Sequence, residues 1–205
     1  MDTLANTRRR KEKLYLGYAG RRIASDDAAP APPPSAEGEI FITHDSVRLV
    51  LRDIRPDDFE ALQRGFAGLT AQEVRYRFLH PITELPEALA RQLCDIDREN
   101  AVAIVLIDPP DAKEPEIHAV ARGYIDPVTL SAEFALVVQH QLAGQGVGTL
   151  LMQRLMATCR ARGATDLWGD VLAENGAMLE LCEHLGFSRH PAFDDPGVIR
   201  VAMQL

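Results

Sequence analysis

The residues best suited to chemistry lie in one run, Glu133-Phe134-Ala135-Leu136-Val137-Val138-Gln139-His140-Gln141-Leu142-Ala143-Gly144-Gln145-Gly146-Val147-Gly148-Thr149. An apolar strand pattern carrying a single carboxylate, Glu133, feeds a loop with three alternating glycines, and the longest helical pattern in the chain starts at once. Glycine accepts positive φ and lets a ligand come close to the backbone. The start of a helix adds unpaired N–H groups and the positive end of its dipole. Gly144 to Thr149 can therefore cradle a pyrophosphate without a lysine, with the N–H groups of Gln145, Gly146, Val147, Gly148 and Thr149 as donors. No Gly-Lys-Ser/Thr follows, which excludes a P-loop. The loop also comes late, after an antiparallel run, unlike the early parallel unit that binds dinucleotides. A plain strand-to-helix turn is the alternative without a ligand.

Strand alternation puts Glu133, Ala135 and Val137 on one face and Phe134, Leu136 and Val138 on the other. Burial disfavours the charged form of a carboxylate on an apolar strand, which suits a general base; the competing reading is an exposed charge at a strand start. Further along, Asn175 can cap a helix or touch a ligand, or both. Cys182 is a candidate acid, although a free cysteine in a helix usually behaves as a small hydrophobe. His140 borders the loop, Asp170 and Glu174 can form a rim that attracts a cation, and Trp168 reads as core.

These residues need elements to hold them. Val47–Leu51 alternates as a strand, with Val47, Leu49 and Leu51 on one face. Arg55-Pro56-Asp57-Asp58 starts a helix with Phe59, Leu62, Phe66 and Leu69 at helical spacing. Thr70 caps a second helix with Val74, Phe78 and Leu79, and Pro86–Leu93 forms a third with proline at its start. Ala101–Ile107 is a continuous apolar strand, followed by strands at Ile117–Tyr124 and Ser131–Val138 with a turn at Asp126-Pro127. After the glycine loop come a helix from Val147 to Arg162 stopped by Gly163, a strand at Leu167–Val171, a helix at Asn175–Leu185 stopped by Gly186, and a closing strand at Val198–Met203. The expected fold class is α/β (α+β), with the folded body at residues 40–205. Residues 1–39 read as a basic tail, with a short helix around Lys11–Gly17, and a Pro/Ala-rich linker at 25–39 that cannot bury enough apolar surface to offset its ordering entropy.

The glycine run resembles the acyl-CoA signature of the GNAT acetyltransferases, Gln/Arg-x-x-Gly-x-Gly/Ala. Gln141, Gly144 and Gly146 match it in one register. Ala143, Gly146 and Gly148 match it in another, which places Thr149-Leu150-Leu151 at the helix start. Asn175 to Phe187 is similar to the Asn-x-x-Ala/Met-x-x-Leu-Tyr-x-x-x-Gly-Phe helix of that family, with Cys182 where the family has Tyr. Arg52-Asp53-Ile54-Arg55-Pro56-Asp57-Asp58, Arg75-Tyr76-Arg77-Phe78, Ala132-Glu133-Phe134-Ala135 and Leu167 to Asn175 resemble the catalytic domain of bacterial Pat-type protein lysine acetyltransferases. The resemblance implies a mixed, mostly antiparallel twisted sheet of six to seven strands flanked by helices. It implies acetyl-CoA as co-substrate, with Leu136, Val137 and Val138 pairing with pantetheine beside Asn175, and Glu133 as the base that lets an amine attack the thioester. The expected acceptor is a protein lysine; a small amine, a protein N-terminus, or a non-catalytic acyl-CoA sensor are the alternatives. The chain is too short for the nucleotide-sensing or ligase-like domains that such proteins often carry.

Composition narrows the classes further. The chain has 205 residues, 46% of them hydrophobic, enough for a real core, and a net charge of −8. Residues 1–24 carry a surplus of five positive charges, so the remainder carries thirteen negative ones. That balance argues against nucleic-acid binding, which depends on Lys and Arg meeting phosphates. Three cysteines without zinc or disulfide spacing suit a reducing, cytoplasmic setting. Six scattered histidines give no metal-ligand spacing. No apolar run reaches membrane-spanning length, and the basic N-terminal stretch, with no apolar segment after it, does not read as a secretory signal. Oligomeric state is left open.

Overall fold

The computed structural model describes residues 38–80, 82–192 and 195–205; the expected tail helix lies outside them. Among the described residues, eight strands form one sheet in the order β1-β2-β3-β4-β5-β6-β8-β7. The strands are β1 (Glu39–Ile42), β2 (Arg48–Asp53), β3 (Ala101–Ile107), β4 (Ile117–Ile125), β5 (Ser131–Val138), β6 (Asp166–Leu172), β7 (Ser188–Pro191) and β8 (Val198–Gln204). Five α-helices accompany them among the described residues: α1 (Phe59–Ala67), α2 (Ala71–Phe78), α3 (Glu87–Cys94), α4 (Val147–Ala161) and α5 (Gly176–His184). All neighbouring strands are antiparallel except β5 and β6.

Eight strands exceed the six to seven expected because β1 and β7 are four-residue edge strands without a usable pattern. All four residues of β7 are exposed, so no apolar alternation marks it. The first edge strand begins at Glu39, one residue before the expected start of the folded body.

The sheet is covered on both faces, and this explains the apolar run Ala101–Ile107. Val102, Ile104 and Leu106 join a core with Leu151, Met152 and Leu155 of α4 and Leu179 and Cys182 of α5. Ala103, Val105 and Ile107 join a second core with Ala61 and Leu62 of α1 and Ala90, Leu93 and Cys94 of α3. A strand buried on both sides has no polar face to alternate with. The same burial corrects the reading of Val47–Leu51. Leu49, Val50 and Leu51 are all buried, Val50 under α1, while Val47 lies before β2 and is exposed.

Local chemistry sets the helix starts. Thr70 accepts the Glu73 N–H and Glu73 returns a bond to the Thr70 N–H, a reciprocal cap. Before α1, Asp58 accepts the Arg55 N–H at 2.7 Å and a two-bond clasp from Arg52. Arg52 and Asp58 thus brace the turn that leads from β2 into α1. At Gly65 an added Cβ would stand 2.0 Å from the Ile117 carbonyl oxygen, so α1 lies with its backbone on β4.

Candidate active site

The parallel ladder between β5 and β6 is short. It pairs Ser131 with Asp166, Ala132 with Leu167 and Glu133 with Trp168, and ends there. β5 stays paired with β4 as far as Val138. Past Glu133, therefore, the two central strands part. The main chain of Phe134 to Val138 borders the opening, because its other side is already committed to β4.

The opening forms a cleft of about 430 Å³. Leu136, Val137 and Val138 line it on one side, Gly144, Gly146, Val147, Gly148 and Thr149 at the head of α4, and Asn175 at the head of α5. Each of these was an expected binding residue, and the fold brings them together. Gly144 and Gly146 have φ of +74° and +77°, which an L side chain adopts only with strain. A Cβ at Gly148 would meet Leu181 Cδ2 of α5 at 3.1 Å, close enough that this side chain would have to shift. The first helical bond of α4 runs from the Leu150 N–H to the Gly146 carbonyl at 3.0 Å. The N–H groups of Val147, Gly148 and Thr149 thus precede any helical acceptor and are available to an anion.

Two expected residues stand elsewhere. The N–H of Gln145 donates to the Leu142 carbonyl at 3.3 Å, and its side chain binds the His44 N–H and the Gln141 carbonyl. Gln145 shapes the loop from behind instead of lining the cleft. Cys182 is fully buried in the core under α5 and lines neither cavity of the site. Burial pushes its thiol up to about 12, with Arg189 opposing weakly. At helical spacing from Leu179, it faces the sheet and not the opening.

Glu133 is half-buried and lines a smaller cavity of about 40 Å³ with Arg77, Leu79, Ala135 and Asp170. Tyr76, Leu136, Asn175 and Met178 line both this cavity and the cleft, so the two meet at those four side chains. Asn175 also caps α5, its Oδ1 accepting the Met178 N–H at 3.2 Å, so both readings of Asn175 have a structural basis. Asp170 faces the small cavity while bound through both oxygens to Arg200 at 2.9 Å. Trp168, expected in the core, is half-buried on the sheet face with the Arg200 guanidinium 4.2 Å from its ring. Glu174 is outside both cavities, paired with Arg75 at 3.2 Å.

The sequence reading missed the contribution of α2. Glu73, Tyr76 and Arg77 reach the site because α2 packs against β5. The Tyr76 hydroxyl accepts from Gln72 Nε2 at 2.7 Å and donates to the Glu174 carbonyl at 3.3 Å. Glu73 sits beside His140 at 3.5 Å on the rim of the cleft. The available signals were the reciprocal cap at Thr70 and the polar Arg75-Tyr76-Arg77 run set between the buried Val74 and Phe78. Among the described residues, no group of three or more His, Cys, Asp or Glu is gathered as a metal site, and no helix is long and apolar enough to cross a membrane.

Residues 69–187 match the model of the GNAT acetyltransferase family. The chain belongs to that family. An acetyltransferase of Pseudomonas aeruginosa is 29% identical over 155 residues, covering 75% of this chain and 83% of its own. A ribosomal protein bS18-alanine N-acetyltransferase of Salmonella typhimurium is 33% identical over 70 residues, 34% of this chain and 45% of that one. Among solved structures, the GNAT domain of a PAT protein from S. lividans superposes with a TM-score of 0.73 at 23% identity, covering 85% of this chain and all 100% of that one. A Vibrio cholerae spermidine N-acetyltransferase in complex with CoA and spermine superposes at a TM-score of 0.58 and 19% identity, covering 76% of this chain and 95% of that one. The protein is thus an acyl-CoA-dependent N-acetyltransferase, acting on an amine, on the GNAT fold.

Proposed function

We propose that this GNAT protein transfers acetyl from acetyl-CoA to the ε-amine of a protein lysine, with Glu133 as general base. The observation that carries the reading is the meeting of two cavities at Leu136, one lined by glycine-loop main chain and the other by Glu133. The amides of Val147, Gly148 and Thr149 would hold the diphosphate, and the unpaired edge of Leu136–Val138 would take the pantetheine arm. Bound there, acetyl-CoA supplies an activated acyl carbonyl.

A lysine ammonium ion has an ordinary pKa near 10.4 and must lose a proton before it attacks. Glu133, at the wall of the small cavity, takes that proton. A main-chain N–H on the edge of β5 donates to the carbonyl oxygen as it gains charge. With Cys182 buried and its thiol neutral, proton return to the sulfur falls to Tyr76, a residue that lines both cavities. The small cavity has about 40 Å³ of room, which suits the tip of an extended amine. A polyamine end would fit the same space, and the spermidine enzyme among the structural neighbours supports a small amine as the second reading.

Release of free CoA thiol, followed with lysine-containing peptides, polyamines and an α-amino peptide, separates these acceptors. Lysine peptides should give the highest kcat/KM. A rate that favours spermidine or the α-amine would replace the acceptor assignment. Acetyl-CoA binding without thiol release from any amine would make the protein a sensor.

A further inference from the structure

On the face of the sheet away from α4, a second cavity of about 40 Å³ lies between β4, α1, α2 and α3. Its walls are mostly apolar, with Leu62, Phe66, Leu85 and Leu93 among them, yet two arginines, Arg77 and Arg122, also line it, as does His118, whose ring nitrogens are engaged by Asp108 and Gln139. Arg122 projects from the middle of β4, opposite Ala135, and is 8% exposed. Its Nη2 is fully shielded from solvent and has no hydrogen-bond partner. Burial and the neighbouring Arg77 lower its pKa to about 9, so the guanidinium is still a cation at neutral pH. Cys94, whose influence on Arg122 runs the other way, is held as a neutral thiol by burial, its own pKa raised to about 12, and offers no charge in return. A buried cation without a counter-charge is costly. Nothing in the acetyl-transfer chemistry uses this one.

We propose that this cavity binds a small planar monoanion, a carboxylate of formate or acetate size, on the guanidinium of Arg122. The volume equals roughly three water-sized spheres, which matches an ion of three or four heavy atoms and excludes a nucleotide or a peptide carboxylate with its chain. The guanidinium fork matches two coplanar oxygens. The remainder of the wall, apolar but for His118, keeps the local dielectric low and strengthens the pairing. Occupancy would reach the active site through α2: Arg77 borders this cavity and the Glu133 cavity, and Tyr76, on the same helix, borders the cleft.

The test is thermal unfolding of the full chain at fixed ionic strength as sodium formate replaces sodium gluconate, whose anion is too large to enter. A ligand held at tenfold its Kd should raise Tm by about 4 °C in a chain of this length. Arg122→Met should abolish that rise, and Arg122→Lys, which keeps the charge but loses the fork, should reduce it. Equal Tm in the two salts for the unaltered protein, or the same rise in Arg122→Met, overturns the proposal. Should neither variant fold, crystals of the unaltered protein soaked in bromide decide the matter. An anomalous peak within hydrogen-bond reach of Arg122 supports the site, and peaks only at surface cations overturn it. The binding readouts do not depend on acetyl transfer.

Discussion

The cleft takes most of its lining from one run of main chain, residues 136–149, backed by α5. The small cavity takes its lining from the side chains of separate segments: Tyr76 and Arg77 on α2, Glu133 on β5, Asp170 on β6 and Asn175 before α5. The cleft therefore binds through amides whose positions are fixed by two left-handed glycines and a helix start, while the small cavity acts through functional groups that can be exchanged one at a time. Altering the first should change affinity for the acyl donor. Altering the second should change turnover.

The largest expected effect is at the base. Glu133→Gln should lower kcat about 100-fold while leaving acetyl-CoA affinity within about twofold. Near-normal turnover at neutral pH would remove Glu133 from the chemistry. Gly146→Val should do the reverse. The left-handed φ of +77° costs an L residue about 1–2 kcal/mol, and the loop should relax at the expense of its cradle, so Kd for acetyl-CoA should rise about 20-fold with kcat at saturation little changed. A fall in kcat with intact affinity would merge the two regions into one. Tyr76→Phe should lower kcat about tenfold, as expected on loss of a proton donor; an unchanged rate leaves water as the acid.

Cys182→Ala should leave turnover within about twofold, which distinguishes a packing residue from an acid. The thiols also predict a pH effect on stability. Burial raises Cys94 and Cys182 to about 12 and Cys159 to about 11 from an ordinary 9.0. Folding holds these protons more tightly than the unfolded chain does. Their contribution is whole below pH 9 and is lost as pH climbs toward 11 to 12. Denaturant melts at pH 8 and pH 10.5 should show lower stability at the higher pH, with less of that loss in Cys182→Ala.

The same contrast explains what the sequence made legible. The cleft could be read because its determinants are local: an apolar strand, alternating glycines and a helix start lie within 17 consecutive residues, Glu133 to Thr149. β3 was equally plain, since burial on both faces leaves an unbroken apolar run. Tyr76 and Arg77 were read only as part of a motif, because nothing short of tertiary packing brings α2 to β5. Gln145 and Cys182 show the converse. Both lie inside recognisable motifs, yet one turns its amide into the loop and the other faces the core. The edge strands β1 and β7 escaped because four-residue segments at a sheet margin have no buried face to imprint a pattern.

The central claim is that main-chain amides at the head of α4 receive the diphosphate of coenzyme A. Backbone amide resonances followed through a coenzyme A titration test it directly. The account predicts the largest shifts at Val147, Gly148 and Thr149, with Gln145, whose N–H is already engaged by Leu142, moving far less. Saturable binding that leaves those three amides in place, with the principal shifts on another element, would contradict it.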